Sequence, residues 1–150
     1  DAFLQALERG IAEESAVALA VMDLDSFKAI NDTYGHHTGD AVLVDLAQHL
    51  RALAVNRWVV ARLGGDEFAC VSIGQPADIA VRSDELVSNV ASARMISGLT
   101  VSVGAATVDI SAGVDEQQSV RDALRLADAE MYRVKSSRKR IRGHNDTAYR

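Results

Sequence analysis

The stretch Trp58-Val59-Val60-Ala61-Arg62-Leu63-Gly64-Gly65-Asp66-Glu67-Phe68-Ala69-Cys70-Val71-Ser72-Ile73 decides the fold. Two strand-like runs, Trp58 to Arg62 and Phe68 to Ile73, flank a pair of glycines. Glycine takes positive φ at no steric cost, so paired glycines between short apolar runs signal a β-hairpin. Asp66 and Glu67 then sit at its tip. A hairpin makes part of the sheet antiparallel, which argues against a doubly wound nucleotide fold. Neither a G-x-G-x-x-G nor a G-x-x-x-x-G-K-[ST] stretch occurs, so any phosphate is held some other way.

Before the hairpin, Ala18 to Met22 is continuously apolar and short, which suits a strand buried on both faces, and it runs into Asp23 and Asp25. Phe3, Leu4, Leu7 and Ile11 share one helical face. From Thr38, read as an N-cap, Leu43, Leu46, Ala47, Leu50 and Leu53 recur at helical spacing. After the Gly74-Gln75-Pro76 break, Ile79, Leu86, Val87, Val90 and Ala91 predict another helix. Leu99, Val101 and Val103 alternate with Thr100, Ser102 and Gly104 as a strand does. Ser119 and Asp122 form a capping pair for a last helix carrying Ala123, Leu124, Ala127, Met131 and Val134 on one face. The order helix, strand, helix, hairpin, helix, strand, helix is that of an α/β sandwich (α+β).

The 150 residues, 48% hydrophobic and 25% charged, suffice for one domain with a real core. A net charge of −5 argues against a general nucleic-acid binder. The basic stretch from Arg133 to Arg142 reads either as a solvated helix end or as a phosphate-binding segment. Cys70, the single cysteine, lies in an apolar run and reads as a core residue. No membrane-length apolar run and no signal-peptide pattern is present, so a soluble domain is expected.

Asp23 and Asp25 follow the first strand, and Asp66 and Glu67 cap the hairpin, so the two acidic clusters can meet at one edge of the sheet. Carboxylates gathered without a counter-ion repel. A magnesium ion that bridges carboxylates to substrate phosphates resolves this. The alternative is ordinary strand-end and turn acids, with Asp25 starting a helix.

The segment Asp23-Leu24-Asp25-Ser26-Phe27-Lys28-Ala29-Ile30-Asn31-Asp32-Thr33-Tyr34-Gly35-His36, continued by Gly39-Asp40, resembles the signature after the first strand of GGDEF domains. Gly64-Gly65-Asp66-Glu67-Phe68 matches the eponymous motif, Ser102 to Ala106 resembles the later strand, and Ala127-Asp128 to Tyr132 with Lys135 resembles the last helix. With these motifs in the family's order, the chain is identified as a member of the GGDEF, or diguanylate cyclase, family. The resemblance implies a palm-like fold shared with nucleotidyl cyclases and polymerases, its mostly antiparallel central sheet flanked by helices. It implies synthesis of cyclic di-GMP and two pyrophosphates from two GTP, by attack of a 3′-hydroxyl on an α-phosphate across a homodimer of domains.

Carried over, the resemblance makes Asp23, Asp66 and the Leu24 carbonyl the ligands of magnesium, with manganese as a substitute. Glu67 is a base or a support behind the ligands. Lys28, with the amides of Ser26 and Phe27, would hold the β- and γ-phosphates. Asn31 and Asp40 would read guanine, where a carboxylate accepts from N1 and N2 hydrogens that adenine does not offer together. Gly65, Lys135 and Lys139 complete the substrate contacts. The resemblance also implies an upstream sensory or dimerising module and a cytoplasmic location, with any membrane tether in other parts of a longer protein. The chain reads as one catalytic domain, 1–150, its first helix truncated and a basic tail from about 136.

There are two departures. Val55 and Trp58 occupy the positions of the Arg-x-x-Asp inhibitory site, so product feedback, if any, is expected elsewhere, the active site included. Lys135-Ser136-Ser137-Arg138-Lys139 replaces the family's Lys-x-x-Gly-Arg, losing a glycine and exchanging an arginine fork for a point charge, with Arg138 or Arg140 as stand-ins. The rival readings are a non-catalytic GGDEF module binding GTP or cyclic di-GMP and a cyclase using adenine nucleotides. The intact acids, with Lys28, Asn31 and Asp40, speak against both.

Overall fold

Strand β1, Ala16–Leu24, has a hydrogen-bonded neighbour on each side, and eight of its nine residues are buried. That is why its sequence is a continuous apolar run rather than an alternation. The computed structural model describes residues 2–12, 16–55, 57–93, 98–110 and 115–147, with side chains for 5–10, 16–55, 57–93, 98–110 and 115–140. Around β1 run α1 (Ala2–Ala12), α2 (Phe27–Tyr34), α3 (His36–Ala54), β2 (Val59–Gly64), β3 (Glu67–Gly74), α4 (Pro76–Ser92), β4 (Val101–Val108) and α5 (Glu116–Thr147). Among the described residues the strand order is β2-β3-β1-β4, and every neighbouring pair is antiparallel.

Alternation along β1 divides the core in two. Val17, Leu19 and Val21 meet Leu7 of α1 and Ala127 and Met131 of α5. Ala20, Met22 and Leu24 meet Leu43, Leu46 and Leu50 of α3 and Val90 of α4. Asp23 has the parity of Val21, so it lies on the α5 side of the sheet. Gly104 in β4 lets α5 come close, because a Cβ there would overlap the Ala127 carbonyl and crowd the Met131 amide.

The α/β sandwich expected from the sequence is observed, with several local differences. A short helix, α2, separates β1 from α3, and β1 itself extends through Asp23. Helix α3 starts at His36 with Gly35 as its N-cap, and the Thr38 hydroxyl instead bonds back to the Tyr34 carbonyl at 3.1 Å. Helix α5 starts at Glu116, where Asp115 Oδ1 accepts from the Gln118 amide at 3.0 Å; Ser119, expected as the cap, is buried one turn in. The expected tail from 136 continues α5 to Thr147, with Gly143 inside the helix. Helix α1 forms as expected; the side chains of Phe3, Leu4 and Ile11 lie outside the described residues, as do those of Ile141 and Arg142.

Candidate active site

The end of β1 and the β2–β3 turn come together because β1 and β3 pair with Asp23 opposite Glu67. Strand β2 closes at Gly64 and β3 opens at Glu67, leaving Gly65 and Asp66 as the turn. Gly65 has φ +52°, a left-handed value that glycine accepts freely. Arg62 holds this turn from outside, donating Nε at 3.0 Å and Nη2 at 2.7 Å to the Gly65 carbonyl. The Leu24 amide points to the Asp66 carbonyl at 3.4 Å. Since the N–H and C=O of a strand residue share a side, the Leu24 carbonyl also looks toward the turn.

Asp23 is 8% exposed, and Lys135 Nζ reaches its Oδ1 from α5 at 2.6 Å. Burial pushes the Asp23 carboxyl above its ordinary value and the neighbouring Asp66 charge raises it further, while Lys135 opposes them. Ionised Asp23 is thus only partly compensated by the protein. An oxygen-only set of two carboxylates and a main-chain carbonyl fits magnesium, which binds through one or two carboxylates and keeps other positions for water and phosphate. Among the described residues no group of three or more His, Cys, Asp or Glu side chains is placed to hold a metal. Three protein oxygens leave the remaining positions of such an ion for water and a phosphorylated ligand.

Asp25 is not the helix-opening acid of the alternative reading. It is 5% exposed, and Thr100 and Ser102 hydroxyls and the Arg138 guanidinium all donate to it. The chain then turns at Ser26, which has φ 64° and ψ 27°, a left-handed conformation uncommon outside glycine. Phe27 opens α2 and packs partly into the core, while Lys28 is exposed. Ser26, Lys135 and Lys139 line a small hollow with Asp25 and Arg138. Arg138, a candidate stand-in for the lost phosphate contact, is committed to Asp25 and to the Val101 and Ala91 carbonyls.

Asn31 lies on α2 and Asp40 on α3. Asn31 Oδ1 is buried without a hydrogen-bond partner and abuts Gly39, whose missing Cβ makes room for it. Asp40 is exposed on the rim of an open cleft of about 360 Å³, lined also by Leu43, Arg51, Val60, Arg62 and Phe68. Glu67 is exposed at the start of β3. The structure thus brings Asp23, Leu24, Asp66, Glu67, Ser26, Lys135 and Lys139 to one end of the sheet, with Asp40 at a neighbouring cleft. Sequence reading missed the partners of Asp25. The signals were there: Thr100 and Ser102 share one face of a strand, and Arg138 follows Lys135 by one helical turn.

The profile of the family described as "Diguanylate cyclase, GGDEF domain" matches residues 1–140. The bifunctional diguanylate cyclase/cyclic di-GMP phosphodiesterase MucR of Pseudomonas aeruginosa is 37% identical over 136 residues, covering 90% of this chain and 20% of that protein. Diguanylate cyclase DgcP of Escherichia coli is 32% identical over 125 residues, 83% of this chain and 37% of that protein. The chain therefore spans well under half the length of these two relatives. Among solved structures, the GGDEF domain of DgcB from Caulobacter crescentus in complex with c-di-GMP superposes with a TM-score of 0.69 at 29% identity, covering 91% of this chain and 82% of that one. Diguanylate cyclase SiaD of Pseudomonas aeruginosa, solved with its activator SiaC, gives 0.68 at 28% identity over 91% of this chain and 52% of that one.

Proposed function

Because the chain belongs to the diguanylate cyclase GGDEF domain family, we propose that it condenses two GTP into cyclic di-GMP, releasing two pyrophosphates. The observation that carries this reading is the convergence of Asp23, Asp66 and Lys135 at the end of β1, where buried acid is left short of positive charge. Magnesium, or manganese in its place, held by Asp23, Asp66 and the Leu24 carbonyl, would neutralise charge developing on the phosphates. Lys28 and the Ser26 and Phe27 amides bind the β- and γ-phosphates, with Lys135 and Lys139 closing from α5. Asn31 and Asp40 select guanine, and a buried acceptor left unpaired by adenine disfavours ATP. Glu67, opposite Asp23 in the ladder, takes the proton of the attacking 3′-hydroxyl or supports the ligands from behind.

Each domain offers one such site and the product needs two nucleotides, so turnover requires two domains face to face. The remainder of a longer protein supplies the sensory or dimerising input and any tether, and the domain works in the cytoplasm, where GTP is found. Among the described residues no helix is long and apolar enough to cross a membrane. With Val55 and Trp58 in place of an inhibitory pair, any product feedback would act elsewhere, the active site included.

The test is chromatographic analysis of products from GTP and magnesium over a wide range of protein concentration, with Asp66→Ala alongside. Cyclic di-GMP rising faster than linearly with protein, and absent in the variant, is the expected result. Nucleotide binding without turnover at any concentration would instead identify a regulatory binding module.

A further inference from the structure

Asp25 has both carboxylate oxygens engaged: Thr100 Oγ1 donates to Oδ2 and Ser102 Oγ to Oδ1, each at 2.5 Å, and Arg138 Nη1 donates to Oδ2 at 2.8 Å. The same guanidinium donates from Nη1 to the Val101 carbonyl at 2.6 Å and from Nη2 to the Ala91 carbonyl at 3.0 Å. Val101 is the first residue of β4, and Ala91 lies in the last turn of α4, whose final carbonyls lack partners within the helix. One arginine therefore joins α5 to β4, to the end of α4 and to the junction between β1 and α2. It stands where the family's ending has glycine.

We infer that Arg138 is a positioning residue of the nucleotide site, acting through Asp25 on the Ser26 turn and through α5 on Lys135 and Lys139. The inference rests on the reading of the site as one that binds GTP. Arg138 and Lys139 follow Lys135 by three and four residues on the same helix, so anchoring Arg138 sets the rotation and height of α5 from which both lysines project. Lys135 bonds Asp23, and Lys139 borders the hollow that contains Ser26. Ser26 directly follows Asp25 and holds a left-handed backbone, a conformation that a non-glycine residue keeps only where its surroundings over-determine it. The buried Asp25 carboxylate, pinned from both strand and helix, supplies that constraint. A lysine at 138 would keep the charge on Asp25 but lacks the planar fork that reaches three acceptors together.

A clamp that only glued α5 in place would affect stability alone, so the test reads nucleotide affinity well below the melting midpoint of every variant. The α,β-methylene analogue of GTP is titrated with magnesium by calorimetry into the parent chain, Arg138→Ala, Arg138→Lys, Lys135→Ala and the double variant Lys135→Ala/Arg138→Ala. Arg138→Ala is expected to weaken binding about tenfold and Arg138→Lys about threefold, the loss of a charged and a partial hydrogen-bond set. In the double variant the loss falls short of the product of the single losses, because the Lys135 contact already depends on Arg138. Affinity within about twofold of the parent, or losses that simply multiply, would overturn the inference. If Arg138→Ala does not fold, Arg138→Lys carries the same test against the parent. A parent chain that does not bind the analogue overturns the reading of the site itself, and the inference with it.

Discussion

Cys70 lies in the middle of β3 with no exposed surface, and burial pushes its thiol from 9.0 up to about 12. The unfolded thiol ionises first as pH rises above 9.0, so this group's contribution to stability declines with pH from there toward 12. The folded protein is expected to be inert to a thiol reagent at neutral pH and to react at once in denaturant, which absorbance of the released chromophore checks. Asp23 behaves in the same sense at the acidic end. Its carboxyl is raised above 3.8 by burial, so this group's contribution to stability falls as pH rises from 3.8 toward the folded value. An asparagine at 66 removes the repelling charge and can donate to Asp23. Without magnesium, Asp66→Asn is thus expected to stabilise the chain by about 0.5 kcal/mol, while magnesium with GTP no longer raises its melting midpoint. Thermal melts with and without the metal and nucleotide read both effects.

At the scale of elements, the packing of α2 on α3 sets where guanine would be read. Asn31 Oδ1 fits against Gly39 because no Cβ stands there, and Phe27 Cζ lies 3.2 Å from where that Cβ would be. Gly39→Ala forces the Asn31 side chain away while leaving both helices able to form, since alanine favours helix more than glycine does. The expected outcome is a rise in KM for GTP of about tenfold with a reduced preference over ATP, and little change in melting midpoint. Parallel kinetics with the two nucleotides separate this from a loss of fold. Strand β1 is the other element that matters: as an interior strand it carries Asp23 to the sheet's end, and its two neighbours bring Glu67 and Ser102 opposite that residue.

Over the whole molecule, one sheet separates two apolar clusters, one under α3 and α4 and the other under α1 and α5. Both clusters draw on alternate residues of β1, so neither survives without the strand that the other also needs. Leu46, fully buried in the first cluster, tests this. Leu46→Ala is expected to cost about 2–5 kcal/mol, the range for a buried leucine truncated to alanine. The chain should still unfold in one transition, with the same denaturant midpoint by circular dichroism and by Trp58 fluorescence. Surface ion pairs matter far less at this scale. The Arg57–Glu85 pair, with both side chains 56% exposed, belongs to a class that contributes between nothing and about 1 kcal/mol.

The sequence by itself determined the order of elements apart from the short helix α2, the hairpin at Gly64-Gly65 and the acids that follow it, because periodicity, glycine and strand-length apolar runs act locally. It also carried the family motifs, apart from the inhibitory pair at 55 and 58 and the altered ending at 135–139. It was less able to place helix starts: Thr38 and Ser119 have cap chemistry, yet Gly35 and Asp115 sit where the chain geometry puts the first free amides. Only the tertiary structure decided what Asp25 does. Its partners Thr100, Ser102 and Arg138 are 75 or more residues away, and pairing over that distance depends on which strands become neighbours. The same holds for Lys135, whose charge reads as a helix end until α5 packs over Gly104 and delivers it to a buried carboxylate. A local pattern can name such groups, but which charges neutralise one another is fixed by long-range packing.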